Sequence, residues 1–507
     1  MQKAVDGAGT VPAVVIGSGF GGIAAALRLR AKGYDVTVID RSPMLGGRAQ
    51  VFEREGYRHD AGPTVITAPF LFTELFDLFD KNFDDYVTLV PLEPWYRFYY
   101  PDGTTFDYGG TPEDTMAEIA RYSPEDVEGY KKLLAHSKKL FDAGFTRLAD
   151  QPFNSVGSML KEAPALVRLQ SYLTVWQLIC KYIKHPKVRQ AFSIQPLLVG
   201  GSPFDTTSIY GLIHYLEREW GVHFAMGGTG ALVAGLGKLM DEEGIKVRLE
   251  TTVEEIEVDS GVVTGVRLQG GERIATQTVV SNADPLHLYD KMLAPQNVTR
   301  AAKIKRDYSR VSMGLYVLYF GTTKEYPDVA HHTIWLGKRY KELLDEIFKK
   351  KILADDFSLY LHRPTATDKS FAPDGCESFY VLCPVPNQSA NIDWADEGPK
   401  LRDRIVEALD STMLPGLKES ITADFYMTPG DFEDRYLSKH GAGFSIAPHF
   451  TQSAWFRFHN RAEGPKGLYL TGAGTHPGAG MPGVLCSAKV VDRIIPDAAQ
   501  VAVKTAA

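Results

Sequence analysis

Six residues near the start of the chain, Gly17-Ser18-Gly19-Phe20-Gly21-Gly22, have the types and spacing that receive a diphosphate. An apolar run from Ala13 to Ile16 leads into them, and an Ala- and Leu-rich stretch with helical spacing continues to Lys32-Gly33. Gly17 permits the tight turn out of a strand, Gly19 lets backbone approach a pyrophosphate, and Gly22 lets the helix pack against the sheet. The helix N-terminus then faces the negative charge. A second apolar run, Val36 to Ile39, ends in Asp40, 23 residues after Gly17, where a carboxylate can accept hydrogen bonds from an adenosine ribose. Strand, glycine turn, helix, strand and acid together predict a dinucleotide site, to which Ser18, Phe20 and Arg41 also belong.

The residues that follow choose between cofactors. Leu45-Gly46-Gly47-Arg48 is unlike a nicotinamide dehydrogenase, whose chain runs straight into another crossover. A glycine pair followed by arginine resembles the extension in flavin-dependent amine oxidases and carotenoid desaturases, where Arg48 would supply fixed charge to the flavin diphosphate. Asp60-Ala61-Gly62-Pro63-Thr64 forces a defined turn, and its nearness to the glycine motif predicts a loop folding over the flavin, with Thr64 a candidate contact. Near the other end, Leu468 to Leu470 reads as a strand running into Gly472-Ala473-Gly474-Thr475-His476-Pro477-Gly478-Ala479-Gly480-Met481-Pro482-Gly483. Five of those twelve residues are glycines, which leaves room for a planar ligand. The helix predicted from Val484 to Ile495 would aim its N-terminus at the flavin pyrimidine and stabilise charge on the reduced ring. Gly474, Met481, Pro482, Gly483 and Val484 are the candidate contacts there.

These elements must be carried by a chain of 507 residues, enough for about three domains. With 44% hydrophobic and 23% charged residues, large cores are affordable. Fifty-five basic against 62 acidic residues give a net charge of −7 with no dense basic block, which argues against nucleic acid. Four cysteines form neither a CxxC pair nor a disulfide framework and read as buried thiols in a reducing cytoplasm. MQKAVDGAGTVP lacks the parts of a signal peptide, and no run of 18 apolar residues predicts a membrane span. Attachment to a membrane surface stays open.

Between the two glycine motifs the texture changes. Phe70 to Phe79 has helical recurrence, and Trp95 to Tyr100 before Pro101-Asp102-Gly103 reads as a strand entering a hairpin. From 155 to 200, apolar residues including Met159, Leu166, Tyr172, Trp176 and Ile179 interleave with Lys161, Arg168, Lys181 and Lys184. That pattern suits an interfacial membrane helix and, equally, a core helix with a basic edge. Around Met226 the chain returns to the cofactor domain, with a helix to Met240 and strands at 245–249 and 261–268. Strands are expected at Ser312 to Gly321, Ser358 to His362 and Ser378 to Cys383, and a helix from Gly398 to Met413. His331-His332 has no third ligand at helical or hairpin spacing, so a polar loop and no metal are expected.

Taken together, Gly17 to Gly22, Gly46 to Arg48, Asp60 to Thr64, Leu361-His362-Arg363-Pro364-Thr365, Val381 to Pro386 and the GAGTHPGAGMPGV segment resemble the bacterial phytoene desaturase family. The resemblance covers about residues 12 to 495. Amine oxidases usually carry an acid where Ala473 stands, as the desaturases do not. The resemblance implies an α/β fold: a Rossmann-like FAD-binding domain of the amine oxidase and glutathione reductase type, an inserted α+β substrate domain and a helical membrane-associating region. It places the FAD-binding domain at 1–68, 226–284 and 441–507, the substrate domain at 69–150 and 285–440, and the helical region at 151–225. Val253 would bracket the adenine through its backbone.

The implied activity is stepwise desaturation of phytoene to neurosporene or lycopene. A hydride leaves an allylic C–H for the flavin and a proton leaves the neighbouring carbon, with oxygen or a quinone as final acceptor. The enzyme would be cytoplasmic and peripheral to the membrane. A desaturase or oxidase of another isoprenoid, such as a C30 diapophytoene, is the alternative, and a non-catalytic isoprenoid carrier a second. For a base, Asp142, Arg147 and Asp150 form a polar cluster and Glu217 and Glu219 lie on the later helix; each of the five also reads as a solvated surface residue, and Asp150 and Arg147 are named as the catalytic candidates.

Overall fold

A computed structural model describes residues 11–153 and 156–506. The first ten residues, where no signal peptide is expected, lie outside the described residues. Apolar runs too uniform for a sheet wetted on one side become buried parallel strands. Leu468–Leu470, Val279–Ser281, Pro12–Ile16, Asp35–Ile39 and Lys246–Arg248 lie side by side in that order, all parallel. The sheet therefore joins both ends of the chain to its middle, as a discontinuous domain requires. Helix Phe20–Ala31 packs between it and the helices Thr229–Glu242 and Met481–Ile494, and its small residues Ala24, Ala25 and Ala26 are wholly buried at these close approaches.

The inserted part is built on a seven-stranded sheet ordered Ile421–Met427, Gly314–Thr322, Glu377–Val385, Leu359–His362, His332–Trp335, Tyr96–Tyr99 and Thr105–Tyr108. Its strands pair antiparallel except His332–Trp335 with Tyr96–Tyr99. The predicted hairpin closes with Tyr99 opposite Thr105, and the predicted helix runs Trp394–Asp410.

Two boundaries differ from those read in the sequence. Leu71, Phe72, Leu75, Phe76, Phe83 and Val87 pack into the core of the dinucleotide domain rather than the insertion. The cause is direct: the Phe72 ring stands edge-on to Phe20 of the glycine motif, with centroids 5.3 Å apart. The helical stretch 151–225 also packs across its expected boundary. Val175, Leu178, Ile179, Ile183 and Phe192 bury one face against Leu92, Tyr96, Phe106 and Tyr130. Over 175–192 the core-helix alternative describes the chain, whereas Val167 and Tyr172 just before it stand 62% and 61% exposed.

Candidate functional site

The glycine turn is locked before any ligand is considered. Gly17, at φ +91°, donates its N–H to Ile39 O at 2.8 Å, and Ile23 N–H returns to Gly19 O at 2.9 Å to start the helix. A Cβ on Gly22 would lie 1.9 Å from Gly17 O, so helix and turn touch backbone to backbone. Ser18 gives both its N–H and its hydroxyl to Asp40 Oδ2 at 2.6 Å, while Ser42 N–H holds Oδ1 at 2.8 Å. Asp40, the acid expected at the ribose, thus has a fixed position at the end of its strand. Asn282 wedges beside the turn, its Oδ1 only 2.7 Å from where a Gly19 Cβ would stand.

The glycine pair lies on this turn. Gly46 N–H bonds Ser18 O at 2.9 Å, and its φ of +102° directs the chain into Arg48. The Arg48 guanidinium donates to the carbonyls of Gly443 and Ala442 and to Ser438 Oγ, and stacks 5.6 Å from the Tyr436 centroid. Among the described residues no carboxylate comes within 4.0 Å of it. Burial lowers its pKa, with Asp284 opposing. A desolvated cation held by neutral partners calls for an anion, and this donor set fits the diphosphate of FAD. Arg48→Leu is expected to weaken FAD by about 2 kcal/mol, roughly 30-fold in dissociation constant, on titrating the apoprotein with flavin.

The DAGPT turn packs on the same arginine: a Cβ on Gly62 would meet Arg48 O at 2.4 Å. Asp60 Oδ1 accepts from Thr229 N–H and hydroxyl at 2.8 and 2.9 Å, tying the turn to the start of helix Thr229–Glu242. Thr64 Oγ1 sits between Tyr360 and Tyr380 hydroxyls at 2.9 and 2.8 Å. At the C-terminal motif, buried Arg457 donates to Ile446 O at 2.9 Å and Ala473 O at 2.5 Å and so holds the glycine-rich loop. Helix Met481–Ile494 begins there, after Gly480 at φ +91°.

One cavity of about 650 Å³ collects these parts, a size suited to a bound organic ligand. Gly17, Gly19, Phe20, Asp40, Arg41, Gly46, Gly47, Arg48, Thr64, Val253, Gly474, Met481, Pro482, Gly483 and Val484 all line it. Ser18 and Gly22 do not; they position Asp40 and the helix instead. The same cavity continues along an apolar wall that includes Leu166, Leu197, Leu212, Ile334, Leu344 and Leu359.

The expected catalytic pair is elsewhere. Arg147, half-exposed, pairs with Glu162 at 2.9 Å, and Asp150 pairs with Arg493 at 2.5 Å. Neither lines the cavity, although Leu148 and Ala149 between them do, and each side chain is engaged in its ion pair. Glu217 corrects the other reading: it is fully buried, whereas Glu219 is exposed. Helix Ile213–Trp220 turns Glu217 into the cavity wall, where Tyr96 donates to Oε1 at 2.9 Å and Oε2 has no partner. Burial pushes its carboxyl up to about 7, against the opposing Tyr96 hydrogen bond, the Arg218 charge and the nearby Gln195 side chain, which approaches the carboxyl without meeting hydrogen-bond geometry at Oε2. The other cavity carboxylates stand by the glycine loops: Asp40 is held by Ser18 and Ser42, and Asp284 caps a short helix through Leu286 N–H at 2.8 Å. Three of the residues that matter here, Glu217, Asn282 and Arg457, carry no local motif; only the i, i+3 placement of His214 and Glu217 on one face hints at burial of the acid.

Comparison with known proteins agrees with this construction. The family described as flavin containing amine oxidoreductase matches residues 20–491. A lycopene-forming phytoene desaturase of Pseudescherichia vulneris is 49% identical, over 94% of this chain and 97% of the relative. A neurosporene-forming phytoene desaturase of Rhodobacter capsulatus is 44% identical, over 98% and 96%. Among solved structures, an oxidoreductase from Methanosarcina mazei superposes with a TM-score of 0.64 at 15% identity, covering 95% of this chain and all of that one, which speaks to the fold alone.

Proposed function

We propose, from the premise that this chain belongs to the flavin-containing amine oxidoreductase family and within it to the bacterial phytoene desaturases, that it desaturates phytoene stepwise toward neurosporene or lycopene. The observation that carries this reading is a single cavity whose wall passes from the dinucleotide loops to apolar side chains around one carboxyl, Glu217. FAD, when bound, supplies the acceptor for a hydride from an allylic C–H. The second hydrogen leaves the neighbouring carbon as a proton, and we assign its acceptance to Glu217, the carboxyl in the apolar part of the cavity wall, whose buried Oε2 would have to turn toward the ligand to take it. Tyr96 fixes the other oxygen and so the orientation of the carboxylate. The apolar wall excludes water from the charge left on the polyene between the two transfers. The electrons pass on to oxygen or a quinone.

Phytoene is a bilayer solute, and one edge of the molecule suits its delivery. Val167, Tyr172, Phe450 and Phe456 are exposed apolar side chains, with Lys161 and Arg168 exposed among them. Met159, Leu166 and Phe450 also line the cavity, so this edge and the interior are continuous. Among the described residues no helix is long and apolar enough to cross a membrane, and the proposed attachment is peripheral.

The test is purified protein with FAD and phytoene in liposomes, followed by visible absorbance and by co-flotation of the protein. Colour that needs FAD, with protein in the lipid fraction, is the expected result, and the band positions count the steps. Unchanged phytoene with flavin fully bound would overturn it in favour of a C30 substrate or a carrier.

A further inference from the structure

The histidine pair expected to lie in a polar loop is buried instead, and strand pairing supplies the third partner that sequence spacing lacks. His332 stands opposite His362 in the register of strands His332–Trp335 and Leu359–His362, with His331 next to it. All three are buried, and their ring centroids lie 4.6 to 5.4 Å apart. Each ring has one nitrogen engaged. His331 Nδ1 meets Thr367 Oγ1 at 2.7 Å, His332 Nδ1 meets Tyr360 OH at 2.8 Å, and His362 Nε2 meets Asp60 Oδ2 at 3.1 Å. Each has its other nitrogen buried without a partner: His331 Nε2, His332 Nε2 and His362 Nδ1. One ring nitrogen from each residue can be chosen so that all lie within 4.8 Å of one another.

We propose that His331, His332 and His362 form a buried three-histidine site for a divalent first-row transition ion, zinc above all. Imidazole suits this class of ion, and three histidines are an established zinc donor set. Tetrahedral geometry with Zn–N of 2.0–2.1 Å sets the nitrogens about 3.3 Å apart, so closure asks for at most about 1.5 Å of contraction from 4.8 Å. The outer shell is in place: every ring is oriented by a hydrogen bond at its other nitrogen, and Asp60 makes a carboxylate–histidine–metal arrangement through His362. The ion would lie behind the cavity wall rather than in it, since Tyr360 lines the cavity and the three histidines do not. Through Tyr360 and Asp60 it would brace both ends of the DAGPT turn, a structural role independent of the redox reaction.

The test uses the full-length, flavin-loaded protein, purified without chelator, incubated with zinc and dialysed. Elemental analysis is expected to give about one zinc per chain. His332→Phe keeps ring volume and loses the ligand; His332→Cys loses the ring and keeps a ligand. The metal site predicts that the cysteine variant retains zinc and melts near the wild type, and that the phenylalanine variant drops below a tenth of an equivalent. A histidine cluster that only fills space predicts the reverse order of stability and no metal. Zinc-edge X-ray absorption of the wild type, which needs no variant to fold, should count three imidazole nitrogens at about 2.0 Å. A wild type without stoichiometric metal, or zinc retained in His332→Phe, would overturn the proposal.

Discussion

Glu217→Gln is expected to slow desaturation by about 10²–10⁴-fold while leaving the flavin spectrum intact, because it removes the proton acceptor and keeps the Tyr96 hydrogen bond. The side chain is nearly isosteric, and Glu217 lies on helix Ile213–Trp220, outside the glycine motifs read as the flavin site. The pH dependence has a defined sign. Only the ionised form accepts a proton, and the folded carboxyl titrates at about 7, so the wild-type rate should rise as pH increases through 7. Stability runs the opposite way. A carboxyl raised from 4.5 to about 7 on folding contributes stability that is full below 4.5 and lost as pH rises through 7. Above pH 7 the glutamine variant should therefore melt no lower than the wild type, which separates lost chemistry from lost fold. A variant with unchanged rate, or a wild type with a flat profile between pH 6 and 8, would remove Glu217 from the reaction.

Gly22→Ala is expected to give protein without flavin. Its Cβ would stand 1.9 Å from Gly17 O, and Gly17 cannot yield alone. The turn is pinned by Gly17 N–H on Ile39 and by Ser18 on Asp40, so relief of the clash moves the helix N-terminus off the diphosphate position. Strain of the order of 3 kcal/mol would lower FAD affinity roughly 100-fold. The measurement is the flavin-to-protein absorbance ratio after gel filtration, alongside far-ultraviolet circular dichroism. Gly261→Ala is the control: its φ is also positive, at +77°, yet nothing lies within 4 Å of a Cβ there. It should cost about 1 kcal/mol of stability and keep its flavin. Equal flavin in both variants would show that the backbone contact of Gly22 is dispensable.

What could be read in the sequence was what depends on local spacing. Gly17, Gly19, Gly46 and Asp40 act through neighbours a few residues away or through one crossover, and their positions follow from turn and strand chemistry; the DAGPT turn was legible as a turn, but its partners Thr229, Tyr360, Tyr380 and His362 were not. Long-range partnerships left no such trace. Glu217 is buried by Tyr96, 121 residues earlier, and an isolated Glu-Arg-Glu run reads as solvated. His362 joins His332 only because two strands pair in that register. Asp150 and Arg147, neighbours in sequence, face away from the cavity to separate partners on helices Met481–Ile494 and Val156–Arg168. The aromatic and basic stretch after 155 carries two fates in one pattern, a buried face from Val175 and an exposed one at Val167 and Tyr172.

The order of the parallel sheet also bears on biosynthesis. Pro12–Ile16 emerges early from the ribosome, yet its neighbour Val279–Ser281 follows some 260 residues later, and Leu468–Leu470 closes the edge only near the end of translation. Contacts so distant in sequence are slow to form, and the apolar insertion must wait while they do. Cofactor capture thus comes last: a nascent chain stalled before residue 467 lacks one edge of the sheet and the C-terminal glycine loop, and holds an aromatic interior with no flavin to complete it.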